Sequence, residues 1–274
     1  MTRSLAPRPH AKAAPIVRRC RGLILAAGRG TRLRPLTDTR PKCLVPLGGR
    51  ALLDWQLEAL RDAAIHDVAV VVGYRGAQVR RPGVVAFANP AFAVTNMVAS
   101  LWRARTWLRD APCIVSYGDI VYHPSIVRAL AATSHPIAIA YDVAWRALWE
   151  ARFDRPEDDA ESLRVAGGRV AAIGDPVDDL EAVDGQYLGL LRFSPSGWRR
   201  VERCLVALGE DAIRRLEMTK LLAHLVRAGA GVGAVPISGR WCEVDSIRDL
   251  TLYAAKLRGA GGWLHDWRVT RGDG

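Results

Sequence analysis

The stretch from Leu23 to Lys42, LILAAGRGTRLRPLTDTRPK, constrains this chain most, because an apolar run meets a Gly-rich turn and a cluster of cations. Leu23, Ile24, Leu25 and Ala26 read as a short buried strand. Gly28 and Gly30 let the backbone turn tightly, with several N–H groups able to point at one anion. Arg29, Arg32 and Arg34 surround the turn with charge, and Pro41 stiffens the approach to Lys42. Such a loop suits a polyphosphate: amides position it while a lysine offsets charge that shifts during reaction. Two familiar phosphate loops are excluded. A Walker loop would run G-x-x-x-x-G-K-[ST], which follows neither Gly28 nor Gly30, and a dinucleotide fingerprint needs glycine where Leu33 stands.

The net charge of +11 resembles a nucleic-acid signal until it is located. Residues 1–50 hold 12 Lys or Arg against one acid, Asp38, whereas residues 51–274 hold 27 basic and 27 acidic residues. The excess therefore sits in the N-terminal tail and the phosphate loop, which fits a nucleoside triphosphate better than a specific nucleic-acid face. Residues 1–19 read as a disordered basic tail without the apolar core of a signal peptide. No apolar run approaches membrane-spanning length. Cys20, Cys43, Cys113, Cys204 and Cys242 form no C-x-x-C and no even framework, which suits a reducing cytoplasm. The six histidines do not pair at zinc-ligand spacing.

A chain of 274 residues can hold one α/β domain, expected over 20–258, with a tail over 259–274. Helical spacing over 51–63, strands at 67–73 and 83–88, a helix over 97–108 and a strand over 112–120 predict alternating elements. A helix near 124–132, a strand at 136–142 and a helix from Ala144 continue the alternation. This predicts a Rossmann-like, mostly parallel sheet with crossover helices and sites at the carboxyl ends of its strands. From about 150 to 194 the pattern becomes β-rich, with a hairpin around Gly167-Gly168, and reads as an inserted acceptor-binding region. Beyond the strand at 185–195, helices are expected at 195–208, 217–228 and 246–258, with a short strand at 233–237.

The first loop resembles the signature of nucleotidyltransferases that activate sugar phosphates and small alcohol phosphates, L-x-A-G-x-G-T-R-L-x-P-L-T followed by P-K. The match runs through Leu25, Ala27, Gly28, Gly30, Thr31, Arg32, Leu33, Pro35, Leu36, Thr37, Pro41 and Lys42. The resemblance implies the nucleotide-diphospho-sugar transferase fold and a divalent cation, usually Mg²⁺, held by an Asp at each of two further motifs. Those positions are Asp119, after IVSYG at a strand end where Gly118 permits close approach, and Asp245 in WCEVDS before a helix. Taken alone, Asp245 reads equally as an N-cap and Gly118-Asp119 as a plain turn.

The segment Asn89–Trp102 resembles N-P-x-(Y/F)-x-x-T-N-N-x-x-S-L of bacterial-type phosphocholine cytidylyltransferases and their phosphonate-activating relatives, with Met97 in place of the second Asn. Asn96 and Ser100 are then candidates to contact the base and ribose, or else a loop anchor and a polar residue at a helix start. The segments YDVAWRALW, GQYLGLLRFSP and RWCEVDS extend the resemblance over about 21–258. They offer Tyr141, Trp145, Trp149, Tyr187 and Trp241 as an aromatic box for a quaternary ammonium, with Asp142 as counter-charge. Trp145 and Trp149 at i, i+4 also fit ordinary core contacts. Glu217 stands in a segment resembling a D-M-T that lines the acceptor side. The hairpin carries no lysine where relatives often place one for the acceptor phosphate, which leaves Arg152, Arg192 or Lys220 to supply that charge.

These residues predict a Mg²⁺-dependent cytidylyltransferase that moves CMP from CTP to a small phosphate or phosphonate acceptor. Ala26, Ala27, Gly28, Gly30, Thr31, Arg32, Asn96, Ser100 and Gly118 are expected to bind nucleotide, with Lys42 and Arg32 catalytic and Asp119 and Asp245 on metal. Asp142, Trp145, Tyr187, Glu217 and Trp241 are expected on the acceptor. The alternatives are a sugar-1-phosphate nucleotidyltransferase and a non-catalytic regulatory subunit of the same fold. A cytoplasmic protein, with a homodimer as one possible assembly, completes the expectation.

Overall fold

The apolar run before the glycine turn forms β1 (Arg21–Ala26), which takes the middle of a large sheet because both its faces are apolar. The computed structural model describes residues 20–259 and 262–269. After β1 come two short strands, β2 (Pro46–Leu47) and β3 (Arg50–Ala51), then β4 (Val68–Val72), β5 (Val84–Ala88) and β6 (Cys113–Tyr117). Next are β7 (Ile120–Tyr122) and β8 (Ile137–Asp142), the hairpin of β9 (Glu161–Ala166) and β10 (Arg169–Pro176), then β11 (Gln186–Phe193). The last two are β12 (Gly233–Ile237) and β13 (Trp241–Glu243).

Among the described residues, nine strands form one sheet in the order β5-β4-β1-β6-β11-β8-β12-β10-β9. β1 is parallel to β4 and β6, β4 to β5, and β8 to β12. β11 runs antiparallel to β6 and β8, and β10 to β12 and β9. All but β10 and β11 therefore point one way, and the sheet is mostly parallel as the alternating pattern predicts. Leu23 and Leu25 face one core, with helices Met97–Arg103, Pro195–Leu208 and Met218–Arg227. Ile24 and Ala26 face the other, with helices Leu52–Asp62 and Pro124–Ala132.

Four differences from the sequence reading have physical causes. The helix expected over 97–108 breaks at Ala104 into Met97–Arg103 and Arg105–Arg109. The break lets Trp107 turn onto β1, where its indole N–H donates to the Gly22 carbonyl at 3.1 Å. A helix at Glu210–Arg215 was not expected; it begins after Gly209, whose φ is 89°, and its Arg214 carbonyl accepts the Asn96 N–H at 2.7 Å. Residues 262–269, expected in a tail, pack on the fold: Trp267 is buried edge-on to Trp55 at 5.8 Å, and Leu264 O accepts the Arg240 N–H at 2.7 Å. The fourth is β13, which pairs antiparallel with β7 outside the main sheet. The tail expected over 1–19 lies outside the described residues. Among the described residues no helix is long and apolar enough to cross a membrane.

Candidate active site

β1 ends at Ala26, and the chain turns over the edge of the sheet through Gly28 and Gly30. Gly30 has φ 74°, and a Cβ there would lie 2.7 Å from Lys42 Cβ, so the turn and the lysine are packed with no room for a side chain between them. Thr37, fully buried, donates its hydroxyl to Gly30 O at 2.8 Å and closes the loop upon itself.

The antiparallel ribbon of β7 and β13 decides the rest. Ile120 pairs with Glu243, and the Val244 N–H donates to Asp119 O at 2.9 Å. That register brings Asp119, at the end of β6, beside Asp245, at the start of the last helix. Lys42 Nζ lies between them, 2.7 Å from Asp119 Oδ2 and also bonded to Asp245 Oδ1. Arg32 reaches over the loop to Asp245 Oδ2 at 3.1 Å. Gly118 brings this turn tight against β1, since a Cβ there would stand 2.7 Å from Leu25 O. Gln56, buried on helix Leu52–Asp62, donates to the carbonyls of Tyr117 and Ile120 at 3.1 and 2.6 Å and fixes the turn from behind.

Glu243 joins the two aspartates. One oxygen from each of Asp119, Glu243 and Asp245 lies within 4.8 Å of the others. Asp119 Oδ1 is buried and has no hydrogen-bond partner among the described residues. Burial first, and then the Asp245 and Asp119 carboxylates, push the Glu243 carboxyl up to about 8 against the pull of Arg152 and Lys42. Burial would raise Asp245 as well, but Lys42 and Arg32 hold it below the usual range. Burial would lower the Lys42 ammonium, but Asp119 and Asp245 outweigh it and raise it. A convergent set of carboxylate oxygens with an orphaned buried lone pair fits a hard divalent cation.

Above this floor opens a cleft of about 180 Å³ lined by Ala26, Ala27, Gly28, Gly118 and Lys42, with Phe92, Asn96 and Ser100 on the facing wall. Asn96 caps its helix by accepting the Met97 N–H at 2.7 Å, and Ser100 accepts from Asn89 Nδ2 at 3.1 Å. Both side chains therefore hold structural bonds while lining the cleft.

The MobA-like NTP transferase domain family matches residues 22–217, from β1 through the helix before Met218. The chain belongs to that family. A CTP:phosphoglutamine cytidylyltransferase from Campylobacter jejuni is 32% identical over 250 residues, covering 85% of this chain and 99% of the relative. A CMP-5'-(3-aminopropyl)phosphonate synthase from Streptomyces rubellomurinus is 33% identical over 241 residues, 85% of this chain but 36% of that longer protein. Among solved structures, a CTP:phosphocholine cytidylyltransferase from Streptococcus pneumoniae shares the fold with TM-score 0.70 at 21% identity, covering 88% of this chain and all of that one.

This NTP transferase does not build the aromatic box that the sequence suggested. Asp142 is fully buried, its Oδ1 accepting the Ala144 and Gly239 N–H groups at 2.9 and 3.0 Å and its Oδ2 the Trp241 indole N–H at 2.8 Å. Trp145 meets Trp149 edge-on at 5.8 Å, and Trp149 meets Trp241 at 6.1 Å, all three in the core. The correction has a plain cause: the Asp142 carboxylate already accepts three hydrogen bonds in the core, and the rings are packed on one another. Nor does Arg192 supply charge at the acceptor side, since it turns to His135 O at 2.7 Å near the amino end of β8. Lys220 points at the hairpin, donating to Gly174 O at 3.0 Å.

Of the other residues expected on the acceptor, Tyr187 is half-buried and Glu217 exposed. Tyr187 meets Tyr117 edge-on at 5.8 Å. Beside them lies Glu161, whose carboxyl burial raises; Glu217 repels it while the Thr219 hydroxyl, 3.4 Å away, stabilises its charged form. Sequence reasoning missed Glu161, Glu243 and Gln56, and it expected Arg152 on the acceptor side, whereas its guanidinium bonds Glu243 and Asp249. Only the E-V-D spacing of Glu243 and Asp245 carried a signal, because alternate residues of a strand point the same way.

Proposed function

We propose that this chain is a cytidylyltransferase, transferring CMP from CTP to a small phosphate or phosphonate acceptor with release of pyrophosphate. The observation that carries the reading is Lys42 between Asp119 and Asp245 at the floor of a cleft walled by the glycine turn, in a chain 32% identical to a phosphoglutamine cytidylyltransferase over nearly the whole of both. In this reading the amides from Gly28 to Thr31 and the Arg32 guanidinium hold the triphosphate, and Phe92, Asn96 and Ser100 flank the base. An acceptor oxygen attacks the α-phosphorus as the bond to the β-phosphate oxygen breaks, and pyrophosphate leaves with the electron pair. The acceptor oxygen is already anionic, so no general base is needed.

Asp119, Glu243 and Asp245 would hold Mg²⁺, which supplies charge neutralisation to phosphate oxygens when bound. Lys42 offsets the charge that builds on the α-phosphate. On the acceptor side Glu161 and Glu217 set negative charge beside the Tyr117 and Tyr187 rings, which favours an acceptor bearing an amine or ammonium over a neutral sugar. The test is pyrophosphate release with each of the four NTPs against phosphoglutamine, phosphocholine, 2-aminoethylphosphonate and glucose-1-phosphate. Turnover with CTP and an amine-bearing acceptor is expected. Turnover with glucose-1-phosphate alone would keep the transfer chemistry and discard the acceptor assignment.

A further inference from the structure

Arg152 stands behind the carboxylate cluster rather than in it. It closes helix Arg146–Arg152, is buried, and lies against aromatic faces, 5.1 Å from the Trp149 ring centre and 4.8 Å from that of Phe153. Its Nη1 donates to Glu243 Oε2 at 3.2 Å and its Nε to Asp249 Oδ1 at 3.0 Å. The other Asp249 oxygen accepts the main-chain N–H groups of Asp245 and Ser246, each at 2.9 Å. One planar fork thus grips the Glu243 side chain directly and the Asp245 backbone through Asp249. Buried ion pairs add little net stability over apolar side chains of similar volume, so stability alone gives no reason for a guanidinium here. Geometry does: a rigid fork can fix two carboxylates at a set separation, which a lysine's point charge cannot.

We propose that Arg152 is a positioning residue that sets the separation of the Glu243 and Asp245 carboxylates for a divalent cation. The proposal rests on the metal reading above. It also explains why Asp249 both caps its helix and faces Arg152: the capping box is the link that passes the position of the guanidinium to Asp245. Partners of this kind, bonded to ligands rather than to metal, typically alter metal affinity by about 10- to 100-fold when removed.

The experiment is Mn²⁺ binding to the nucleotide-free full chain, by calorimetry or electron paramagnetic resonance, for wild type, Arg152→Met, Arg152→Lys and Asp249→Asn. Positioning predicts about 10- to 100-fold weaker binding in Arg152→Met, a smaller loss in Arg152→Lys and a clear loss in Asp249→Asn, with the KM for CTP at saturating metal little changed. A guanidinium acting only as nearby positive charge repels an incoming cation. Its removal would then tighten Mn²⁺ binding and Arg152→Lys would match wild type, and either result overturns the proposal. Wild-type affinity in a folded Arg152→Met protein overturns it too. If Arg152→Met does not fold, Arg152→Lys and Asp249→Asn carry the same test. A wild-type chain that binds no Mn²⁺ overturns the metal reading itself, a failure distinct from wild type and variants binding alike.

Discussion

The Val244 N–H donates to the Asp119 carbonyl across 2.9 Å, and this backbone bond ties the two halves of the carboxylate cluster together. It extends the pairing of Ile120 with Glu243 by one step, so that Asp119 and Asp245 lie on either side of a single ammonium, that of Lys42. The consequences can be measured.

Lys42 touches both carboxylates and lines the cleft, whereas the proposed acceptor side is built from other residues. Lys42→Ala is expected to lower kcat by about 10²- to 10³-fold, the usual cost of losing a charge-stabilising donor, with a much smaller change in acceptor KM. Steady-state kinetics checks this, and wild-type turnover in the variant would remove the lysine from the chemistry.

Chelation with EDTA is expected to stop pyrophosphate release, and excess Mg²⁺ to restore it. Asp119→Asn retains shape but removes the charge of a carboxylate whose Oδ1 is buried without a partner among the described residues. It is expected to raise the Mg²⁺ concentration for half-maximal rate by more than about 10-fold. A Mg²⁺ titration of both proteins decides the matter.

Gly118→Ala would place a methyl group 2.7 Å from Leu25 O and 3.0 Å from Ala26 Cα, against backbone that cannot move aside cheaply. The expected cost is about 1–3 kcal/mol of stability, read from urea denaturation, together with a fall in kcat because Asp119 is the next residue. Stability and rate both unchanged would show that the turn has slack.

His265 is buried 3.6 Å from Asp142, and burial lowers its pKa below the ordinary 6.5 despite the attraction of that carboxylate. The unfolded chain takes up a proton near pH 6.5 while the folded chain does not. Stability from this residue is therefore present above pH 6.5 and lost as pH falls toward the folded pKa. His265→Gln is expected to lose less stability than wild type between pH 7.5 and 5.5, by urea midpoints at each pH. Equal losses would mean that His265 titrates alike in both states.

The loop from Leu23 to Lys42 and the alternation of strands and helices were legible because they rest on local chemistry: glycine conformations, apolar period and charge. Asp119 and Asp245 were legible only as members of two motifs. What put them within reach of one cation is the register of β7 against β13, two three-residue strands with no periodic signal of their own. Tertiary structure also decided against the aromatic box, since Asp142, Trp145 and Trp241 carry the right chemistry but spend it on one another in the core. Arg152 was written in the sequence as a candidate acceptor charge, and the fold turned it inward to Glu243 and Asp249. The sequence by itself determined where the glycine turn falls and which charged and polar side chains are on offer, because that follows from residue type and local backbone. Which of them face one another was decided by long-range packing, because direction in space is fixed by contacts between segments far apart in the chain.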